Sequence, residues 1–139
     1  MLEVMLRVLL INSEPLTRHY LKARLSNGSG GDVTVLGQAA DYATALPLVR
    51  RLRPDVVLAE LTSADGTGLE IAQRLHVDCP NARTIVVTGR VTPYLDALAR
   101  SCGAAGVIAR SEVCGVALRR ALGRSAQTIP TPMALPRAA

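Results

Sequence analysis

The chain has 139 residues, of which 49% are hydrophobic and 19% are charged, so it is long and apolar enough for one folded domain and is not a wholly disordered chain. Its net charge of +5 arises in residues 97–139, where six arginines are accompanied by one acid, Glu112. This basic end indicates either a solvated helix face or an acidic partner such as DNA, while the absence of Phe and Trp removes the usual stacking platform for single-stranded nucleic acid.

The sequence carries no sign of a membrane span, a secretory signal or a metal-binding cysteine motif. Its apolar runs fall far short of the roughly 20 residues that a transmembrane helix needs. The apolar start contains Glu3 and Arg7 and leads to no cleavage site. Cys79, Cys102 and Cys114 are odd in number and widely spaced. We therefore expect a cytoplasmic protein with reduced thiols and no membrane contact.

Five short aliphatic runs are predicted to be strands. Runs as continuously apolar as these are typical of strands buried on both faces of a parallel sheet. Turn-forming residues bound them, such as Pro54 before the third run and Gly89 after the fourth. In chain order the runs are Arg7–Ile11, Val33–Gly37, Asp55–Leu61, Arg83–Val87 and Ala105–Ala109.

Apolar residues at helical spacing follow each strand and predict five helices. Pro47 would cost about 3 kcal/mol inside the second helix, so Thr44 is predicted to be the N-cap that leaves Pro47 in the first turn. Thr92 and Ser111 are predicted to cap the fourth and fifth helices. The apolar stripes consist of Leu16, Tyr20, Leu21 and Leu25; Tyr42, Ala45, Leu46, Val49 and Leu52; Leu69, Ile71, Ala72 and Leu75; Leu95, Leu98, Ala99 and Cys102; and Cys114, Ala117, Leu118 and Ala121.

Strand and helix thus alternate five times, which predicts a doubly wound, flavodoxin-like α/β domain, (βα)5, with a five-stranded parallel sheet over residues 1–124. Residues 125–139 contain three prolines and no acid, so they are predicted to be a tail or the start of a linker. In such sheets ligands bind beyond the carboxyl ends of the strands. The polar residues expected there are Asn12, Ser13, Glu14, Glu60, Thr88 and Arg110.

Four segments, RVLLINSEPLTR, RPDVVLAELTSADGTGLEIAQRL, TIVVTG and CGAAGVIARSE, resemble the receiver domain of bacterial two-component response regulators. They span roughly residues 6–123, and GAAGVIARSE is most similar to receivers of the NarL/FixJ type. The resemblance implies the strand order 2-1-3-4-5. It further implies a site with two acidic residues that help hold Mg²⁺, a phosphoaccepting Asp, a Thr or Ser, and a Lys. It also implies an aromatic switch residue three positions before that Lys.

Most of these residues are replaced in this chain. Neutral oxygens stand where the acidic pair is expected, so Mg²⁺ binding is expected to be weak or absent, and no other cofactor is implied. Glu14 is either a replacement carboxylate or a favourable charge at the helix start. The corresponding residues are Asn12 and Ser13 for the acidic pair, Glu60 for the phosphoacceptor, Thr88 for the Thr, Arg110 for the Lys and Val107 for the aromatic residue.

Glu60 and Arg110 are predicted to contact each other. Glu is one methylene longer than Asp, and Arg offers a forked donor in place of the point charge of Lys. Thr88 is a potential third member of the contact, and the alternative is that Glu60 points to solvent. Val107 has no ring that could rotate, so it is predicted to disable the aromatic switch, which is compatible with its being an ordinary core residue.

The resemblance therefore predicts a degenerate receiver that is not phosphorylated and is not an enzyme. It would serve as a regulatory and dimerisation module of a transcriptional regulator that binds DNA through a domain outside these residues. The alternatives are a stand-alone module that binds a regulatory protein or a small ligand, a phosphorylatable receiver, and an unrelated small enzyme, which the lack of a Gly-rich phosphate loop disfavours. The homodimer face that the family implies would include Leu95, Leu98, Arg100, Val113, Arg119 and Arg120, with ordinary core and solvated surface as the alternative for these residues.

Overall fold

The computed structural model describes residues 5–27, 33–61 and 67–127, in which strands and helices alternate along the chain. The strands are β1 (Leu6–Ile11), β2 (Val33–Ala39), β3 (Val56–Glu60), β4 (Arg83–Thr88) and β5 (Gly106–Ala109). The helices are α1 (Pro15–Asn27), α2 (Tyr42–Leu52), α3 (Thr67–Asp78), α4 (Pro93–Ser101) and α5 (Gly115–Gln127), with a 3₁₀ turn (Arg110–Glu112) before α5.

The five strands form one parallel sheet in the order β2-β1-β3-β4-β5, which confirms the predicted doubly wound α/β fold. The register aligns Ile11 of β1 with Ala59 of β3, and Glu60 with Val87 of β4. Because the strands are parallel, their carboxyl ends meet at one edge of the sheet. The polar residues that end β3 and β4 and those that follow β1 and β5 are gathered at this edge.

Helices cover both faces of the sheet, which is why the strands are apolar at successive positions. On one face Leu58 packs in a cluster with Leu21 of α1 and Leu118 of α5. On the other face Val57 packs in a cluster with Leu75 of α3 and residues of α2. Successive strand residues point to opposite faces, so even-numbered residues at the ends of β1 and β3 point toward α1 and α5.

Three helix starts were predicted from capping residues, and those of α4 and α2 had different outcomes. Thr92 caps α4 as predicted, since its hydroxyl accepts the N–H of Leu95 at 3.1 Å. The predicted cap of α2 is wrong: Asp41 precedes the helix and its carboxylate accepts the N–H of Thr44 at 2.8 Å. Pro47 therefore lies inside α2, where its missing N–H leaves an exposed turn of the helix one hydrogen bond short.

The predicted start of the fifth helix is also corrected. Ser111 lies within the 3₁₀ turn, and α5 begins at Gly115 and continues to Gln127. Residues 125–127 are thus helical, although they were predicted to belong to the tail, and residues 128–139 lie outside the described residues. On α1, Leu16 is 81% exposed, so its buried face is formed by Leu21 and Leu25. Across the described ranges, no helix combines the length and the apolar character that a membrane span requires.

Candidate functional site at the carboxyl edge of the sheet

Glu60 is the last residue of β3, and it places a carboxylate at the sheet edge with only 7% of the residue exposed. Arg110, which follows β5, reaches across to it. Its Nε donates to Oε1 of Glu60 at 2.7 Å, and its Nη2 donates to the same oxygen. The predicted contact is therefore present. The side chain of Arg110 is 39% exposed, so the cation of the pair reaches solvent while the carboxylate is buried.

The contact with Arg110 only partly compensates for the burial of the Glu60 carboxylate. Loss of water around the buried carboxylate raises the pKa of Glu60 above its ordinary value, while the hydrogen bonds and charge of Arg110 act in the opposite direction. Burial is the larger of the two effects. The second oxygen, Oε2, is buried and has no hydrogen-bond partner among the described residues. One oxygen of Glu60 is thus bound to a cation, and the other is left as an acceptor.

Asn12 follows β1 and is 5% exposed. Its Oδ1 accepts the backbone N–H of Glu14 at 2.7 Å, which orients the side-chain amide. Its own N–H donates to the carbonyl of Ala39 at 3.0 Å, and its carbonyl accepts from Nη1 of Arg18. The amide nitrogen Nδ2 is buried without a hydrogen-bond partner among the described residues. These hydrogen bonds hold the loop after β1 in place, and the Nδ2 donor of Asn12 is left without a partner among the described residues.

A cavity of about 560 Å³ opens at this edge. Of the six residues predicted for the pocket, all but Ser13 line it. Ser13 is exposed and lines a neighbouring cavity of about 240 Å³, together with Asn12 and Glu60. The residues that line the larger cavity are Asn12, Glu14, Thr17, Glu60, Leu61, Thr88, Gly89, Arg90 and Arg110.

Sequence reasoning missed Thr17, Leu61, Gly89 and Arg90. Gly89 and Arg90 directly follow β4, so the rule that singled out Thr88 would have found them had it been extended by two residues. Thr17 lies in the first turn of α1, a helix that was interpreted only through its apolar stripe. Arg90 is the more consequential of these residues, because it adds an exposed cation to the cavity wall.

Thr88 does not join the pair of Glu60 and Arg110, which corrects that part of the prediction. Its hydroxyl accepts the N–H of Arg90 at 3.4 Å and lies 3.5 Å from the carbonyl of the same residue. The reason is strand alternation: Val87 packs toward α1 and α5, so Thr88 points to the opposite face. Its side chain closes the turn after β4 instead.

Val107 is a core residue with 6% exposure. It packs with Val86 of β4 and with Ala99 and Cys102 at α4. The interpretation of this position as a core strand residue agrees with that packing. An aliphatic side chain with two methyl groups on Cβ has one preferred χ1 and no ring to swing between the core and the surface.

One residue of the predicted homodimer face is corrected. Val113 is 0% exposed and packs in the core with Leu118, so its side chain is not available to a partner. The 3₁₀ turn directs it inward, and its carbonyl accepts from Nε of Arg24 at 3.0 Å. For the rest of the predicted face, Arg120 is exposed, and Leu95, Leu98, Arg100 and Arg119 are half-buried.

The residues at the edge do not fit a magnesium ion. Mg²⁺ requires oxygen ligands in near-octahedral geometry, usually with one or two carboxylates. Asn12 presents its nitrogen, a donor, because its oxygen is bound to the N–H of Glu14. One oxygen of Glu60 is bound to Arg110. Over the part of the chain that the structure describes, no three His, Cys, Asp or Glu side chains are grouped closely enough to hold a metal.

Known proteins of two kinds are similar in sequence to most of this chain. A protein-glutamate methylesterase/protein-glutamine glutaminase of Burkholderia thailandensis is 36% identical over 108 residues, which are 76% of this chain and 30% of that protein. The DNA-binding transcriptional activator DevR/DosR of Mycobacterium tuberculosis is 29% identical over 120 residues, which are 85% of this chain and 53% of that protein. The chain thus spans about a third to a half of the length of these relatives. No family model matches it.

The solved structures agree with the curated relatives. The signal receiver domain of the response regulator NarL from Mycobacterium tuberculosis superposes with a TM-score of 0.71 at 24% identity, and the match covers 91% of this chain and 100% of that domain. The two therefore share one overall fold. The chain therefore has the fold of the receiver domains of response regulators, and it is similar in sequence to parts of the methylesterase and of the transcriptional activator.

Proposed function

We propose that this receiver works without phosphorylation, that it catalyses no reaction, and that it is the regulatory module of a larger transcriptional regulator. The observation that carries the proposal is the contact of Glu60 with Arg110 at the position where the family places its phosphoacceptor and its Lys. The receiver fold is retained around this pair, while the groups that phosphoryl transfer needs are not.

The geometry of Glu60 argues against its phosphorylation. Phosphoryl transfer depends on positioning an acceptor oxygen in line with the leaving group, and a displacement of about 1 Å can cost on the order of a hundredfold in rate. Glu60 extends one methylene further than the Asp of the family, and its Oε1 is already bound by two donors of Arg110. An incoming phosphate would have to displace the guanidinium from the carboxylate.

The missing metal ligands argue in the same direction. Charge on the transferred phosphoryl group is normally neutralised by a metal ion held by carboxylates. Asn12 and exposed Ser13 supply no carboxylate here, and the side-chain oxygen of Asn12 already accepts the N–H of Glu14. We therefore propose that Mg²⁺ binds weakly or not at all.

The switch that would report phosphorylation is altered as well. In the family a Thr moves toward the phosphate as an aromatic ring turns inward. Here Thr88 is bonded to the backbone of Arg90, and Val107 is packed in the core. A regulatory signal would therefore have to arrive by binding, either to the surface formed by α4, β5 and α5 or within the cavity. That conclusion supports regulation by contact.

The curated relatives include a transcriptional activator and a methylesterase, so their names alone do not choose an output. The sequence around β5, GAAGVIARSE, resembles receivers of NarL/FixJ-type transcriptional regulators, and this resemblance favours a transcriptional output. We propose that DNA is bound by a domain outside this chain. We further propose that two copies pair through α4 and α5. Tyr94 of α4 is 72% exposed and Arg120 of α5 is exposed, which leaves this side of the domain open to a second copy.

Intact-protein mass spectrometry after incubation with acetyl phosphate and Mg²⁺ tests the central proposal. The expected result is an unchanged mass, with a phosphorylatable receiver as the positive control in the same tube. A mass increase of one phosphoryl group on this chain would overturn the proposal. A variant with Asn12→Asp, Ser13→Asp, Glu60→Asp and Arg110→Lys restores the family residues, and it is expected to gain Mg²⁺ binding by calorimetry.

Light scattering tests the pairing. The expected result is a concentration-dependent dimer that Tyr94→Lys weakens at least tenfold. Tyr20→Lys is the matched control, because Tyr20 is also exposed but lies on α1. A strict monomer at high concentration, or equal weakening by both variants, would contradict the proposed interface.

A further inference from the structure

The positive charge of the chain is concentrated on α1 and α5. These two helices contain six of the sixteen Lys and Arg residues of the chain and none of its eleven acids, so the rest of the chain is nearly neutral. One acid shortly precedes each helix, Glu14 before α1 and Glu112 before α5. The six cations are Arg18, Lys22 and Arg24 of α1 and Arg119, Arg120 and Arg124 of α5.

The fold places these two helices on the same face of the sheet, although they are far apart in the chain. Leu21 of α1 and Leu118 of α5 pack in one core cluster. Nε of Arg24 also donates to the carbonyl of Val113, just before α5, at 3.0 Å. The helices of the other face, α2, α3 and α4, contain four Lys or Arg residues and three acids. The outer surface of α1 and α5 is therefore a basic face, while the opposite face is close to neutral.

The charges of the basic face are available to a partner. Lys22 and Arg120 are exposed. Arg18 donates to a side-chain amide oxygen and to a backbone carbonyl, and Arg24 donates to a backbone carbonyl, so both are bound to neutral acceptors. Among the residues that the structure describes, no carboxylate forms an ion pair with a cation of α1. An anion that approaches this face would not have to displace an acid from α1.

A face of one sign fits a partner whose charge is also uniform. With no acid inside either helix, the face lacks the alternating charges that distinguish one acidic protein from another. Duplex DNA carries one phosphate charge per about 1.7 Å of its axis, and a helix of 13 residues is about 20 Å long, which is the length of about six base pairs. Five of the six cations are arginines, whose planar guanidinium can bond to two phosphate oxygens at once.

We propose that the basic face of α1 and α5 binds the phosphate backbone of duplex DNA without reading its sequence, with Lys22 and Arg120 among the contacts. This inference rests on the proposed function, because the DNA-binding domain of a transcriptional regulator would hold the receiver beside the duplex. Phosphate contacts fix position and orientation but carry no sequence information directly. The basic face would therefore orient the receiver on DNA, and the choice of site would belong to the DNA-binding domain.

Fluorescence anisotropy of a labelled duplex of about 20 base pairs, titrated with the chain at about 20 to 200 mM NaCl, tests the proposal. We expect a Kd on the order of 10⁻⁴ M near 150 mM NaCl, as for nonspecific DNA binding. The slope of log K against log [NaCl] should be about −3, as for three or four phosphate contacts. A duplex of unrelated sequence should bind equally well.

Two results of this titration would overturn the proposal. One is the absence of binding even at the lowest salt concentration. The other is tighter binding to labelled poly-L-glutamate of equal charge than to the duplex, which would assign the basic face to an acidic protein instead.

Charge reversals locate the contact. Lys22→Glu on α1 and Arg120→Glu on α5 are each expected to weaken duplex binding at least tenfold at low salt and to reduce the salt slope by about 1. Arg51→Glu is the matched control, since it makes the same change of charge at an exposed position of α2, and it is expected to change the Kd less than threefold. Equal weakening by all three variants would show that net charge attracts the duplex, and not this face. The salt slope of the unaltered chain tests the proposal even if a variant fails to fold.

The outcomes separate this inference from the proposed function. Lys22 lies outside the proposed pairing surface of α4 and α5, so Lys22→Glu should weaken DNA binding without changing the dimer seen by light scattering. A chain that binds the duplex and is also phosphorylated would refute only the proposed function. A chain that does neither would refute only this inference.

Discussion

Arg110 directs two hydrogen bonds to one oxygen of Glu60, Oε1, while the other oxygen of the same buried carboxylate has no partner among the described residues. Such a pair is not primarily a source of stability, because the cost of removing the carboxylate from water offsets much of the attraction. Its consequence appears when the cation is removed, since the carboxylate then remains buried without compensation. The pair therefore links the chain just after β5 to the end of β3, across the intervening strand β4.

Removing the cation is expected to destabilise the domain. Breaking a fully buried pair costs 3–5 kcal/mol, and because the side chain of Arg110 is 39% exposed we expect about 2 kcal/mol for Arg110→Ala at neutral pH. Urea unfolding followed by circular dichroism measures this difference. Arg90→Ala is the matched control, since Arg90 is exposed in the same cavity wall, and it is expected to change stability by less than about 0.5 kcal/mol. Equal losses in the two variants would show that the contact with Glu60 is not the cause.

The pH dependence of Glu60 has a defined sign. Burial raises the pKa of its carboxyl in the folded state, so its titration contributes stability below the unfolded pKa of about 4.3, and this stability is lost as the pH rises through the folded pKa. Arg110→Ala is expected to raise the pKa of Glu60 further, so its destabilisation should shrink as the pH falls from 7 toward 4.

Carbon-13 NMR of the side-chain carboxyls checks this expectation, with Asp41 as an internal control of opposite sign. Hydrogen bonds from Thr44 hold the pKa of Asp41 below its ordinary value, so its contribution to stability is present above the unfolded pKa and is lost as the pH falls through the folded one. Glu60 should titrate above the ordinary Glu value and Asp41 below the ordinary Asp value. If the pKa of Glu60 in the unaltered protein lay below the ordinary Glu value, the role given to burial would be contradicted.

The sheet was predictable from the sequence because its information is local. Each strand is a short aliphatic run bounded by turn residues, and burial of β1, β3 and β4 on both faces leaves no polar alternation in them to suggest a surface strand. The sheet edge was predictable for the same reason, since a residue that follows a parallel strand lies at its carboxyl end. The position of each residue after its strand, together with the family resemblance, therefore predicted the contact of Glu60 with Arg110.

The starts of α2 and α5 and the direction of Thr88 were predicted wrongly because the sequence offers similar local signals at neighbouring positions. Asp41 and Thr44 are both good N-caps, and which of them starts α2 is decided by where β2 ends. Ser111 carries the same capping signal, but the chain first makes a 3₁₀ turn that buries Val113. The direction of Thr88 depends on strand parity at the last residue of β4, which a shift of one residue would reverse. None of these is fixed by residue type alone.

Gly68 is expected to be intolerant of any side chain. A Cβ at this position of α3 would lie 2.9 Å from the carbonyl oxygen of Glu60 and 3.0 Å from the N of Leu61, both of which are backbone atoms. Gly68→Ala would therefore push α3 away from the end of β3, with an expected loss of about 1–3 kcal/mol. Gly123→Ala is the matched control, because nothing lies within 4 Å of its Cβ position in α5 and helix propensity favours Ala by about 0.5–1 kcal/mol. Thermal unfolding of the two variants should shift in opposite directions, and equal shifts would contradict this account.

Tyr42 links α2 to α3 through a hydroxyl that donates to Oδ2 of Asp78 at 2.5 Å, with the guanidinium of Arg74 4.1 Å from the ring centroid. Tyr42→Phe removes the hydroxyl but keeps the ring under Arg74, so the expected loss is that of the hydrogen bond, about 1 kcal/mol. Burial, with the neighbouring Asp78, raises the pKa of Tyr42 to about 12. The associated stability is present below the unfolded pKa of about 10 and is lost as the pH rises toward 12.

Urea unfolding of the unaltered protein and of Tyr42→Phe, compared between about pH 8 and pH 11, measures both effects. The unaltered protein should lose stability more steeply than the variant over the upper part of that range, because the variant has no group to ionise at this position. Tyr94→Phe controls for the loss of a tyrosine hydroxyl at a site that is 72% exposed, and it should match the unaltered protein at neutral pH. If Tyr42→Phe and Tyr94→Phe were equally stable at neutral pH, the hydrogen bond to Asp78 would not be holding α2 against α3.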